Sequence, residues 1–117
     1  MKHAIITSFL GRLRDRFCEY QEPLSIEQKL ERMARIPGVT GAEVVYPYEV
    51  DTVEAMQSHL RRLGLGISAI NVNIKADPVF ANCSLTSPDP LVRRKACGMI
   101  QAAKDYAKAL GSRRRCN

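Results

Sequence analysis

Three short apolar runs, each followed by a capped amphipathic helix, constrain this chain more than any other feature. Residues 3–7 (His-Ala-Ile-Ile-Thr), 42–47 (Ala-Glu-Val-Val-Tyr-Pro) and 67–74 are short and rich in β-branched residues, the signature of strands. The helices announce their own ends. Ser25 with Gln28 three residues on makes a capping box, and Ile26, Leu30, Met33 and Ala34 share one face, so a helix is expected to run to Ile36, before Pro37-Gly38. Asp51 with Glu54 opens a second helix, in which Val53, Met56, Leu60 and Leu63 recur every three or four residues and Gly64 marks the end. Asp89 followed by Pro90 starts the third and longest, striped by Ala96, Ile100, Ala103, Ala107 and Leu110 and closed by Gly111.

The order β-α-β-α-β-α predicts parallel strands joined by right-handed crossovers, hence an α/β sheet or barrel. Three βα units are too few to close a barrel. The expectation is a partial (β/α)8 TIM barrel whose N-terminal portion occupies residues 1–111, with a basic tail at 112–117 outside the barrel pattern. Residues 8–23 are charged and irregular, with room for a short helical turn, and residues 75–87 lack periodicity and read as a loop.

Composition removes several classes. Apolar residues make up 45% and charged residues 26%, the balance of a globular domain rather than a disordered chain. No run reaches the roughly 18–20 apolar residues of a membrane span, and Lys2 leads into Ala4-Ile5-Ile6 without a signal-peptide core, so a cytoplasmic location is expected. Cys18, Cys83, Cys97 and Cys116 show no C-x-x-C pair and read as reduced thiols. The net charge of +6 raises a rival reading, a small basic nucleic-acid-binding module; Arg113, Arg114 and Arg115 supply half of that charge, and neither an aromatic stacking surface nor a nucleic-acid motif accompanies it. Nucleic acid is therefore not the expected partner.

Ligands of parallel α/β folds sit at the carboxyl ends of the strands. On the third strand Ile70, Val72 and Ile74 share one face, and Asn71, Asn73 and Lys75 the other, where amides and an amine can hydrogen-bond sugar hydroxyls or a phosphate. Glu43 lies on one face of the second strand with Val45 and Pro47 and, if buried, needs a partner such as a lysine, an arginine or a metal. The loop after the first strand carries Arg12, Arg14, Asp15 and Arg16 with Phe9 and Phe17. His3 and His59, the two histidines, have no acidic partner at metal-ligand spacing, and His59 reads as a helix-surface residue. No P-loop, G-x-S-x-G, G-x-G-x-x-G or H-E-x-x-H pattern is present.

Taken together, Thr7-Ser8-Phe9-Leu10-Gly11 with Asp15-Arg16-Phe17, Gly41-Ala42-Glu43-Val44-Val45-Tyr46-Pro47, Asn71-Val72-Asn73, and Leu85-Thr86-Ser87-Pro88-Asp89-Pro90 leading into Val92-Arg93-Arg94-Lys95-Ala96 resemble the sugar phosphate isomerase/epimerase family with a xylose-isomerase-like TIM barrel. The likeness covers residues 3–111, well under half of a barrel of roughly 250 residues. It implies an isomerase or epimerase acting on a sugar or sugar phosphate by metal-dependent proton transfer next to a carbonyl. Endonuclease-type and dehydratase relatives share the barrel. It also implies a divalent metal (Mn, Mg, Zn or Co) in the intact family member, held with the catalytic acids on later strands, so no catalytic or metal residue is expected here. Glu43, Asn71, Asn73 and Lys75 remain as substrate-binding candidates. The chain alone is accordingly expected to be an inactive fragment that binds no metal and self-associates through open strand edges.

Overall fold

The computed structural model describes residues 1–14 and 18–111; the Asp15-Arg16-Phe17 motif and the 112–117 tail, with Arg113, Arg114, Arg115 and Cys116, lie outside the described residues. Element order is β1 (His3–Ile6), a 3-10 turn (Thr7–Phe9), β2 (Leu13–Arg14), β3 (Glu19–Tyr20), α1 (Ile26–Ala34), β4 (Val39–Tyr46), α2 (Val53–Leu63), β5 (Gly66–Val72), a second 3-10 turn (Pro78–Phe80) and α3 (Pro90–Gly111). Among the described residues the chain is α/β, with a parallel three-stranded sheet in the order β1-β4-β5 and three α-helices. It forms two compact units, Met1–Asn71 and Val72–Asn117.

The first unit holds the sheet, α1 and α2. β4 is central, paired in parallel with β1 through Ala4↔Gly41, Ile5↔Ala42 and Ile6↔Glu43. Ala42 and Val44, two apart on one face of β4, are fully buried, as are Leu30 and Met33 of α1 and Met56 of α2. Each large member of that set contributes about 1.5–3 kcal/mol by leaving water. β1 and β5 are the sheet's two edges.

Local chemistry fixes the boundaries. Ser25 Oγ accepts from the Gln28 N–H (3.2 Å) and Gln28 Oε1 accepts from the Ser25 N–H (3.0 Å), so the capping box is made. α1 stops at Ala34, two residues short of Ile36, because the chain turns through Gly38 at a φ of 82° and enters β4 at Val39. β4 therefore begins three residues before the expected Ala42. The N-cap of α2 is Thr52, whose hydroxyl accepts from Ala55 N–H at 3.2 Å; the Asp51 carboxylate accepts instead from the Thr52 N–H at 2.8 Å. Gly64 closes α2 in the left-handed conformation, as its placement in the sequence predicts. β5 ends at Val72 rather than Ile74, since Asn73 Oδ1 accepts from the N–H groups of Lys75 and Ala76 and bends the chain away. The charged stretch after β1 contains the 3-10 turn and a two-stranded ribbon pairing Leu13 with Tyr20 and Arg14 with Glu19. Gly11 precedes it at a φ of 83°, with Leu24 so close that a Cβ would stand 3.2 Å from it.

In the second unit Asp77 caps the second 3-10 turn by accepting from Val79 N–H (3.0 Å), and its other oxygen meets Lys95 Nζ at 2.8 Å. The same ammonium lies 5.9 Å from the Phe80 ring centroid. Arg93 donates to the carbonyls of Ser87 (2.5 Å) and Pro88 (3.0 Å), and Asp89 accepts from Leu91 N–H at 2.9 Å to cap α3. Of the expected stripe, Ala96 and Ala103 are buried, and Ile100, Ala107 and Leu110 half-buried. No described helix is long and apolar enough to cross a membrane. Cys18, Cys83 and Cys97 are exposed and outside any disulfide.

Candidate functional site

Thr7 is the first residue beyond β1 and Glu49 the third beyond β4, so both stand at the carboxyl end of the parallel sheet. Thr7 Oγ1 donates to Glu49 Oε2 at 3.2 Å, and the Lys29 ammonium pairs with Glu49 Oε1. Thr7 is fully buried; the Lys29 and Glu49 side chains are 10% and 19% exposed. Three elements position the cluster. The 3-10 turn supplies Thr7, α1 supplies Lys29 one turn in from its Ser25 cap, and the reversal after β4, with its cis Tyr46-Pro47 bond, supplies Glu49. Glu49 N–H donates to Val45 O at 2.7 Å, which returns the chain alongside the strand it has just left.

This arrangement is costly locally. A lysine near the amino end of a helix faces the positive end of the helix dipole. A nearly buried ammonium needs a partner, and an apolar side chain of similar volume is often as stable at such a position. The two charges cancel, and the carboxylate, ammonium and hydroxyl together offer acceptors and donors within one small region.

Sequence reasoning missed this cluster, although one signal pointed to it. Lys29 follows Ile26 by three residues and precedes Met33 by four, so it falls inside the apolar stripe of α1 rather than on its solvated face. Glu49 carries no comparable signal, because its place depends on how the chain turns after β4.

The four residues singled out from sequence fall into two pairs. Glu43, half-buried on β4, receives the side-chain amide of Asn71, exposed on β5, at 3.5 Å, the outer limit of a hydrogen bond. The partner of Glu43 is thus an amide. In the second unit Asn73 serves the turn described above, and Lys75 meets it through its backbone N–H while its side chain is exposed. The expectation for His59 needs correcting: its side chain is only 15% exposed, with Nδ1 3.6 Å from Glu27 Oε1 and Nε2 3.7 Å from Asp51 Oδ2. Arg62 joins Glu27 and Glu31 at 3.2 and 3.1 Å, linking α2 to α1.

The divalent metal implied by the resemblance does not fit the residues present. Among the described residues no group of three or more His, Cys, Asp or Glu side chains is placed to hold an ion. Glu49 is engaged by an ammonium and Glu43 by an amide donor, both of which compete with a cation for the carboxylate. No family model matches this chain, and no curated protein matches it.

Proposed function

We propose that this chain is part of a sugar or sugar-phosphate isomerase or epimerase built on a xylose-isomerase-like (β/α)8 barrel, and that it contributes substrate-binding groups. The observation that carries the reading is the convergence of Thr7, Lys29 and Glu49, from three elements, at the carboxyl end of a parallel sheet. Glu43 and Asn71 lie on neighbouring strands of the same sheet. A polyhydroxylated ligand asks for such a mixture of acceptors and donors, because each hydroxyl both gives and takes a hydrogen bond. The reaction implied by the resemblance moves a proton next to a carbonyl. In that reaction the groups named here bind and orient the sugar, and no step passes through a metal held by them.

The test is an NMR titration of the 117-residue chain with a panel of ketoses, aldoses and their phosphate esters, with and without manganese or magnesium. Shifts at the amides of Thr7, Glu43, Glu49 and Asn71 without turnover are the expected result. A chain indifferent to every sugar that binds generic DNA in a salt-sensitive way would replace this reading with the nucleic-acid one.

A further inference from the structure

We infer that the exposed face of α3 binds the phosphate backbone of a nucleic acid without reading its sequence. The inference is independent of the sugar reading, since it concerns the second unit and none of the residues assigned to the sugar.

Charge is divided unevenly along the chain. Residues 1–71 carry nine Lys or Arg and nine Asp or Glu, whereas residues 72–117 carry nine and three, so the whole net charge of +6 belongs to the second unit. Such an asymmetry marks a surface for a polyanion. Part of that charge is already engaged: Lys95 pairs with Asp77, and Arg93 donates to the carbonyls of Ser87 and Pro88. Arg94, Lys104 and Lys108 are exposed, and none of them meets a carboxylate among the described residues.

Helix geometry puts these three cations on one side. With about 100° between successive residues they fall within an arc of roughly 80°. Lys104 and Lys108 stand about 6 Å apart along the axis, and Arg94 about 15 Å from Lys104 toward the amino end. Like charges one turn apart repel, so the arrangement costs the bare helix stability that an anion on this face returns. Between the cations lie Cys97, Gly98 and Gln101, all exposed, and a Cβ at Gly98 would meet nothing within 4 Å. A stiff polyanion therefore reaches the helix without displacing a large side chain. Asp105, the sole carboxylate of α3, takes the amide of Gln101 at 3.0 Å, and one negative charge opposes three positive ones.

The make-up of the face decides the class of partner. Leu91, exposed in the first turn, is the one large apolar side chain near it, and Ala96 and Ala103 of the apolar stripe are already buried. Protein interfaces are built around an apolar or aromatic core, and a helix seated in a membrane needs large apolar groups on the side that enters the lipid. Phosphate contacts need neither, because Lys and Arg gain by releasing the counterions condensed on the backbone. An aromatic platform and a recognition motif serve base readout, and backbone binding does without them.

The experiment follows the fluorescence anisotropy of a short labelled DNA duplex titrated with the full 117-residue chain at several salt concentrations. A dissociation constant of roughly 10⁻⁴–10⁻⁶ M near physiological salt, equal for a duplex of scrambled sequence, is the expected result. Arg94→Gln, Lys104→Gln and Lys108→Gln in one chain should flatten the slope of log K against log salt by about 0.9 per lost contact. The thermal midpoint should stay unchanged, since all three positions are exposed. Asp105→Asn should tighten binding about 1.5- to 5-fold. Absence of duplex binding at low salt overturns the inference. So does a slope that the α3 variant leaves unaltered and that Arg113→Gln, Arg114→Gln and Arg115→Gln abolish, which gives the binding to the tail. Tighter binding to phosphatidylserine vesicles than to the duplex also overturns it, and reassigns the face to a membrane surface.

Discussion

In the first unit the fully buried side chains Leu30, Met33, Val44 and Met56 share the core among several large apolar groups, whereas in the second the buried apolar residues among those described are Phe80, Ala96 and Ala103. The second unit adds polar ties instead: Asp77 to Lys95, Lys95 over Phe80, and Arg93 to two carbonyls. Apolar burial is non-directional and needs no particular partner, so a core of many large groups spreads its load. A unit with one large anchor and several exposed ties depends on a few contacts, and those between charges weaken in salt and acid.

The largest expected effect tests how the load is shared. Phe80→Ala removes the one large buried apolar side chain among the described residues of the second unit and should cost about 3–5 kcal/mol, read as lost amide-exchange protection along α3. Leu30→Ala should cost about 2–5 kcal/mol and lower protection along α1 and β4. If the α3 amides stay protected after Phe80→Ala, the contrast between the units fails.

Next in size is Lys29→Met, which keeps the side-chain volume but strands Glu49 and Thr7 in a mostly buried setting. A loss of about 1–3 kcal/mol is expected in urea denaturation, with the partial exposure of Glu49 keeping it below the figure for a fully buried pair. Adding Glu49→Leu should restore part of that loss, since two apolar groups replace an uncompensated charge. A double variant less stable than Lys29→Met alone would show that the loss does not come from the stranded carboxylate.

The smallest effect concerns the ties of the second unit. The Lys95 hydrogen bond first, and the Val79 N–H second, hold the Asp77 carboxyl below its ordinary value of 3.8. A depressed value in the folded chain means that the contribution is complete above the ordinary carboxylate range and disappears as pH falls through the folded value, below 3.8. Protection of the Val79 amide should fall in that acid window in the parent chain and show no such step in Asp77→Asn. At neutral pH, 1 M salt should weaken the same protection while leaving the α1 and β4 amides unchanged. Equal salt sensitivity in both units would erase the distinction drawn between them.

Local signals proved legible because they are short-range. The Ser25-Gln28 box, Gly64 at the end of α2 and Asp89-Pro90 at the start of α3 each act within three or four residues, and the structure places all three as the sequence predicts. Parallel pairing followed from strand–helix alternation alone. The ribbon joining Leu13–Arg14 to Glu19–Tyr20 was not legible, because two-residue strands leave no periodicity to read. Among the candidate site residues, Asn71 donates to Glu43 and Asn73 Oδ1 accepts from the turn that follows β5, contacts that neither residue type nor spacing announces. Lys29 and Glu49 escaped because sequence separates them by 20 residues and only the packed chain brings them together.

That separation bears on the order in which the chain assembles. The Ser25 box closes over three residues, and the contact of Thr7 with Glu49 over 42. Loop-closure entropy is met before a distant contact returns anything, so α1 can form early while the Thr7–Glu49 bond waits for β1 and β4 to pair. Interactions absent from the folding transition state act on the rate of unfolding and leave the rate of folding nearly unchanged. The buried triad then acts as a latch closed last: Thr7→Val should leave refolding times nearly as they are and shorten the lifetime of the folded first unit.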